Sequence, residues 1–103
     1  VLTTITLALT NQTGFSFGEI HLYEKGDVGA HVNILGDMGM LAPEQSLTGL
    51  MIQRDVDNTP WVLFLADESG NEFELELPVG EYSGEVVSLD LSYDEEAGEI
   101  LVS

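Results

Sequence analysis

Residues 61–78, WVLFLADESGNEFELELP, decide the fold. The run from Trp61 to Ala66 is nearly all apolar, as a central strand covered on both faces must be. After it, Phe73, Leu75 and Leu77 alternate with Glu72, Glu74 and Glu76, the period of two that side chains follow along a strand. Between the two runs DESGNE supplies turn chemistry, with Gly70-Asn71 suited to a tight hairpin. Pro78 has no N–H to give a ladder and stops the second run. The stretch therefore reads as a hairpin with one face on a core and a row of carboxylates in water.

Working outward, the same alternation recurs. Ile5, Leu7 and Leu9 oppose Thr4, Thr6, Ala8 and Thr10, which predicts a half-buried first strand. Asn11-Gln12-Thr13-Gly14 makes a turn, since Asn and Gly tolerate left-handed backbone. Residues 17–24 then place Ile20 and Leu22 inward and Glu19, His21 and Tyr23 outward. Residues 25–37 are punctuated by glycine and predict a long connection with one brief strand or helical turn. A turn at Pro43-Glu44 precedes a strand over residues 47–53, and RDVDNTP is a further loop. Residues 86–91 predict another strand, and YDEEAGEILV a last hairpin turning at Glu96-Ala97-Gly98. Seven or eight short strands with a turn about every ten residues predict an antiparallel β-sandwich, with a small, partly open barrel as the alternative. No long amphipathic helix, repeat or low-complexity linker interrupts this pattern, so residues 1–103 read as a single β-sandwich domain.

Composition narrows the function. An apolar share of 44% with slightly positive mean hydropathy is that of a folding chain, so the charge does not signal disorder. Nineteen acids face only Lys25 and Arg54, for a formal charge of -17. That field repels phosphate backbones and anionic headgroups and argues against nucleic acid; metal cations, basic protein surfaces or plain solubility are what it suits. Without cysteine, disulfides, thiolate metal sites and cysteine nucleophiles are excluded. No apolar run approaches the roughly 18 residues that span a bilayer. The chain starts at Val1 without Met or a leader, which reads as a mature form or a module of something longer.

The succession LTNQTGFSFGEIHLY, NILGDMGMLAPEQSLTGL, WVLFLADESGNEFELELPV and VVSLDL resembles small secreted or lipid-anchored β-sandwich domains of anaerobic, often gut-dwelling bacteria. In those domains an Asn-x-Thr-Gly turn leads into an Ile-x-x-Leu-Tyr strand, followed by an Asn-x-Leu-Gly segment and a Leu-x-Pro-Gly turn. The resemblance covers about residues 5–91 and implies a secreted, surface-associated sandwich of unassigned function. Two positions depart from it: Ala30-His31 stands where a Trp-Gly pair is usual, and Glu44 where Gly follows the proline.

His21 and His31 are the available imidazoles, one on an outer strand face and one in a loop, and neither lies in a recognisable catalytic motif. Carboxylate pairs abound, but a sandwich this small rarely encloses a substrate cleft, so the chain reads as no enzyme. Calcium wants hard oxygen ligands from adjoining loops. The richest loops offer Asp55 and Asp57 with Asn58, Asp67 and Glu68 with Asn71, and Asp94 and Glu95 with Glu96, none in EF-hand spacing. Asn11-Gln12-Thr13 is formally a glycosylation sequon, a pattern common by chance. Tyr23, Tyr82 and Tyr93 are candidates for an exposed carbohydrate platform, with Trp61 read as core. The Glu72, Glu74, Glu76 ladder either keeps a sheet edge from pairing or meets a basic partner.

These readings converge on a noncatalytic secreted or cell-surface interaction or adhesion module, with a protein or carbohydrate partner met by loops at one end. The alternatives are a structural subunit of an extracellular assembly, donating residues 3–10 to a neighbour's sheet edge, and an acidic-loop calcium-binding module.

Overall fold

The alternating first segment forms strand β1, Thr3–Asn11, and a computed structural model of the chain describes residues 3–26, 33–54, 57, 59–82 and 85–103. Among the described residues six further strands follow: β2 (Phe17–Glu24), β3 (Ser46–Arg54), β4 (Trp61–Asp67), β5 (Glu72–Leu77), β6 (Val86–Asp94) and β7 (Glu99–Val102). They build two packed sheets, β3-β1-β6-β7 and β2-β4-β5, and no closed barrel. The β-sandwich expected from the alternation is what the chain makes. The long connection after β2 contributes a 3-10 turn at Gly36–Met38, and a second lies at Val79–Glu81.

One pairing differs from an all-antiparallel sheet. β1 runs antiparallel to β3 but parallel to β6, with Leu7 beside Val87 and Leu9 beside Leu89. Alternation specifies which face a residue takes and not the direction of its neighbour, so a pair this distant in sequence could not be oriented from pattern alone.

The inner faces close on one core. Ile5, Leu7, Leu9, Leu89 and Leu91 from one sheet meet Ile20, Leu63, Leu65 and Leu77 from the other, all buried. Each such side chain contributes on the order of 1.5–3 kcal/mol by leaving water. β4 is central in its sheet, as its apolar run predicts: Leu63 and Leu65 face the core, while Val62 and Ala66 are buried on the other face. No helix among the described residues is long and apolar enough to cross a membrane.

β6 extends past the predicted residue 91 to Asp94, and this changes Tyr93. Paired with Ile100, it turns inward and joins Phe15 (ring centroids 4.8 Å apart) and Phe73 (6.2 Å) in an aromatic cluster at one end of the core.

Candidate functional site

The loops at that end are held by their own polar groups. Asn11, 0% exposed, is their hub. Its Nδ2 donates to the carbonyls of Phe15 (2.6 Å) and Leu41 (3.1 Å). Its Oδ1 accepts from the backbone N–H (3.0 Å) and hydroxyl (2.6 Å) of Thr13. A buried amide whose every capacity is spent this way is a structural group, and the sequon offers no accessible nitrogen for a glycan.

The calcium candidates serve their turns in a similar manner. Asp67 closes the β4–β5 hairpin: Oδ1 accepts the N–H groups of Ser69 (2.9 Å) and Asn71 (2.8 Å), and Oδ2 accepts Asn71 Nδ2 (2.9 Å). The Asn71 side chain holds the Asp67 carboxyl below its ordinary value; desolvation opposes it, and the N–H groups of Asn71, Ser69 and Gly70 each lower it by less. Asp94 caps the β6–β7 turn by accepting from Glu96 N (3.1 Å) and Ala97 N (3.3 Å). Glu68, Glu95 and Asp57 are exposed, and Asp55 and Asn58 lie outside the described residues. Among the described residues no group of three acidic, histidine or cysteine side chains could hold a metal ion.

The other candidates are dispersed. His21 lies on the outer face of β2, as predicted, half-buried with Nε2 3.8 Å from a Glu19 oxygen and its ring 5.6 Å from that of Phe64. His31 lies outside the described residues. The three tyrosines share no platform: Tyr93 is in the aromatic cluster, Tyr82 packs half-buried against the core, and Tyr23 stands on the outer face. Burial first, then the Glu81 charge, raises the Tyr82 phenol above its ordinary value; burial, then Glu74, does the same for Tyr23. Trp61 is half-buried against the core, its Nε1 donating to the Gln53 carbonyl at 3.2 Å.

What the structure does bring together is a set of sheet edges, treated differently. Unpaired edge groups invite another strand, and proteins usually block them. The β2 edge is sealed over residues 17–20 by the segment that follows it. Asn33 Oδ1 accepts the Ile20 N–H (3.1 Å), Asn33 Nδ2 donates to the Gly18 carbonyl (3.0 Å), and Ile34 N–H donates to the Ile20 carbonyl (2.8 Å). Phe17 and Leu41 then exchange a pair of backbone bonds at 3.0 and 2.8 Å. The β3 edge is bent by a bulge, in which Thr48 and Gly49 stand opposite Ala8 and Gly49 takes φ +77°. β7 is only four residues long.

β5 has none of these devices among the described residues. Among the described residues its six residues pair in unbroken register with β4 alone. Beside it, toward β7, runs an open groove of about 310 Å³ with Phe73, Leu75 and Ile100 along its floor and Glu72, Glu74 and Glu99 at its rim. Phe73 and Leu75 are half-buried there, packed against the core. The sequence marks this edge by its glutamate ladder; the seal on β2 rests on Asn33, which sequence reasoning did not single out although it opens the NILG segment.

No family model matches the chain, and no curated protein matches it. Among solved structures it is similar to an NMR structure of a protein from Eubacterium rectale, at 20% identity over 97% of this chain and 86% of that one, with a TM-score of 0.60. A likeness at that identity is one of fold.

Proposed function

We propose that the chain is a noncatalytic interaction module of a secreted or cell-surface protein, and that it makes its contact along the open edge of β5. The observation that carries this reading is the contrast within one sheet among the described residues: β2 is sealed over residues 17–20 by hydrogen bonds from Asn33, Ile34 and Leu41, while β5 keeps a regular edge beside a groove with apolar side chains in its floor. An added strand gains backbone bonds from such an edge and side-chain contacts from such a groove. The extracellular setting is supported by the motif resemblance over residues 5–91 alone.

A protein partner is favoured over a carbohydrate, because the tyrosines that would form a sugar platform are dispersed over different surfaces. Assembly by donation of the first strand is the weaker alternative. β1 lies between β3 and β6 of its own chain, with Ile5, Leu7 and Leu9 buried, so donating it would open the middle of a sheet.

Selection from a displayed library of extended peptides, followed by amide chemical-shift mapping of the winners, tests the reading. Selected peptides should perturb residues 72–77 and 98–100. Winners that map to the loop ends, or to Met51 and Val86 on the outer face of the four-stranded sheet, would refute it, as would a library that yields none.

A further inference from the structure

We infer that the occupant of the β5 edge is an extended segment in which basic residues alternate with aliphatic ones; this rests on the reading of β5 as the contact edge. A strand laid beside β5 at about 4.8 Å would itself alternate in the direction of its side chains. Every second one would fall beside the outward row Glu72, Glu74 and Glu76, whose members are about 7 Å apart along the strand. The intervening ones would enter the groove over Phe73, Leu75 and Ile100. The outer row therefore selects cations and the inner row apolar groups.

The acids are not equivalent toward such a guest. Glu76 already holds Lys25, its oxygen 3.0 Å from Nζ, and Glu74 accepts from the Tyr23 hydroxyl across β4. Glu72 has no basic neighbour among the described residues, and Glu99 faces it from the β7 side of the groove. A guest lysine or arginine is thus best placed near Glu72 and Glu99, with Glu74 reached in part and Glu76 kept by Lys25.

A second copy of the chain is the wrong guest. Pairing β5 with itself would set glutamates against glutamates at about 5 Å, where like charges destabilise a sheet, and would bring together two molecules of charge -17. The same charge speeds the approach of a basic segment and makes its binding fall as salt rises. The ladder both refuses the homotypic strand and admits the cationic one.

Three nine-residue peptides with blocked ends test this: lysine alternating with valine, the same composition in block order, and glutamine alternating with valine. Calorimetry gives affinities, and amide shifts with hydrogen exchange at residues 72–77 give the place. The alternating lysine peptide should bind at β5, protect alternate β5 amides, and weaken about tenfold with Glu72→Lys/Glu74→Lys, a pair of exposed substitutions that leaves the core untouched. Block-order and glutamine peptides should bind at least tenfold more weakly. If glutamine and lysine peptides bind alike at β5, the cationic selection is wrong and the edge reading survives. If the lysine peptides bind alike in both orders without protecting β5, diffuse charge accounts for the binding and the inference is overturned. If none binds, the edge reading falls with it.

Discussion

The two edges of the three-stranded sheet solve one problem by opposite means. At β2 the chain folds back on itself, and Asn33 with Ile34 satisfies the backbone of Gly18 and Ile20. At β5 no described residue bonds the outer backbone, and carboxylates stand along it. Hydrogen bonds close an edge to every comer. Charge closes it only to strands of the same sign, and so leaves a selective opening.

The largest expected effect comes from removing Asn11, which holds the Leu41 carbonyl of the sealing segment. Asn11→Ala takes partners from Phe15, Leu41 and Thr13 at once, and leaving buried groups unpaired should cost about 3 kcal/mol in chemical denaturation. A loss under about 1 kcal/mol would mean that water takes over those bonds. The open side should behave differently. Glu72→Gln/Glu74→Gln should alter stability by less than about 0.5 kcal/mol, because these are exposed groups, yet light scattering should reveal self-association that the parent lacks. A variant that stays monomeric at the same concentrations would show that the ladder is not the guard.

Smaller effects separate the turns from a metal site. The Asp67 carboxyl is lowered from 3.8 in the folded chain, so below that value the unfolded state binds the proton first. Its contribution is full above the ordinary carboxylate value and is lost as pH falls through the lowered one. The melting difference between the parent and Asp67→Ala should accordingly hold constant from about pH 5 to 8 and shrink below about pH 4. A difference that persists unchanged into acid would show that the carboxylate charge is not what the turn uses. Smallest of all, calcium should raise the melting temperature no more than sodium at equal ionic strength, since Asp67 and Asp94 already accept from their own turns. A calcium-specific rise reversed by chelator would restore the acidic loops as a site.

Much of the architecture could be read from alternation. Ile5, Leu7 and Leu9 and then Phe73, Leu75 and Leu77 declared their faces, and Gly70-Asn71 its hairpin. The parallel β1–β6 pair could not be read, because inward and outward rows look the same in either direction. Tyr93 was misplaced for a related reason: the polar residues around it resemble a turn, whereas β6 runs on and turns the ring inward. Asn11 and Asn33 were the least legible. In sequence a buried hub, an edge seal and an ordinary turn asparagine are the same letter, and only the carbonyls that surround each one distinguish them.

Hydrogen exchange of individual amides in the free protein tests the central contrast most directly. Protection at Ile20 and Ile34 should be high, it should fall at Ile20 in Asn33→Ala, and alternate amides of Glu72–Leu77 should exchange at nearly the rate of an open peptide. Protection at every amide of β5 would mean that its edge is already covered, and would contradict the account.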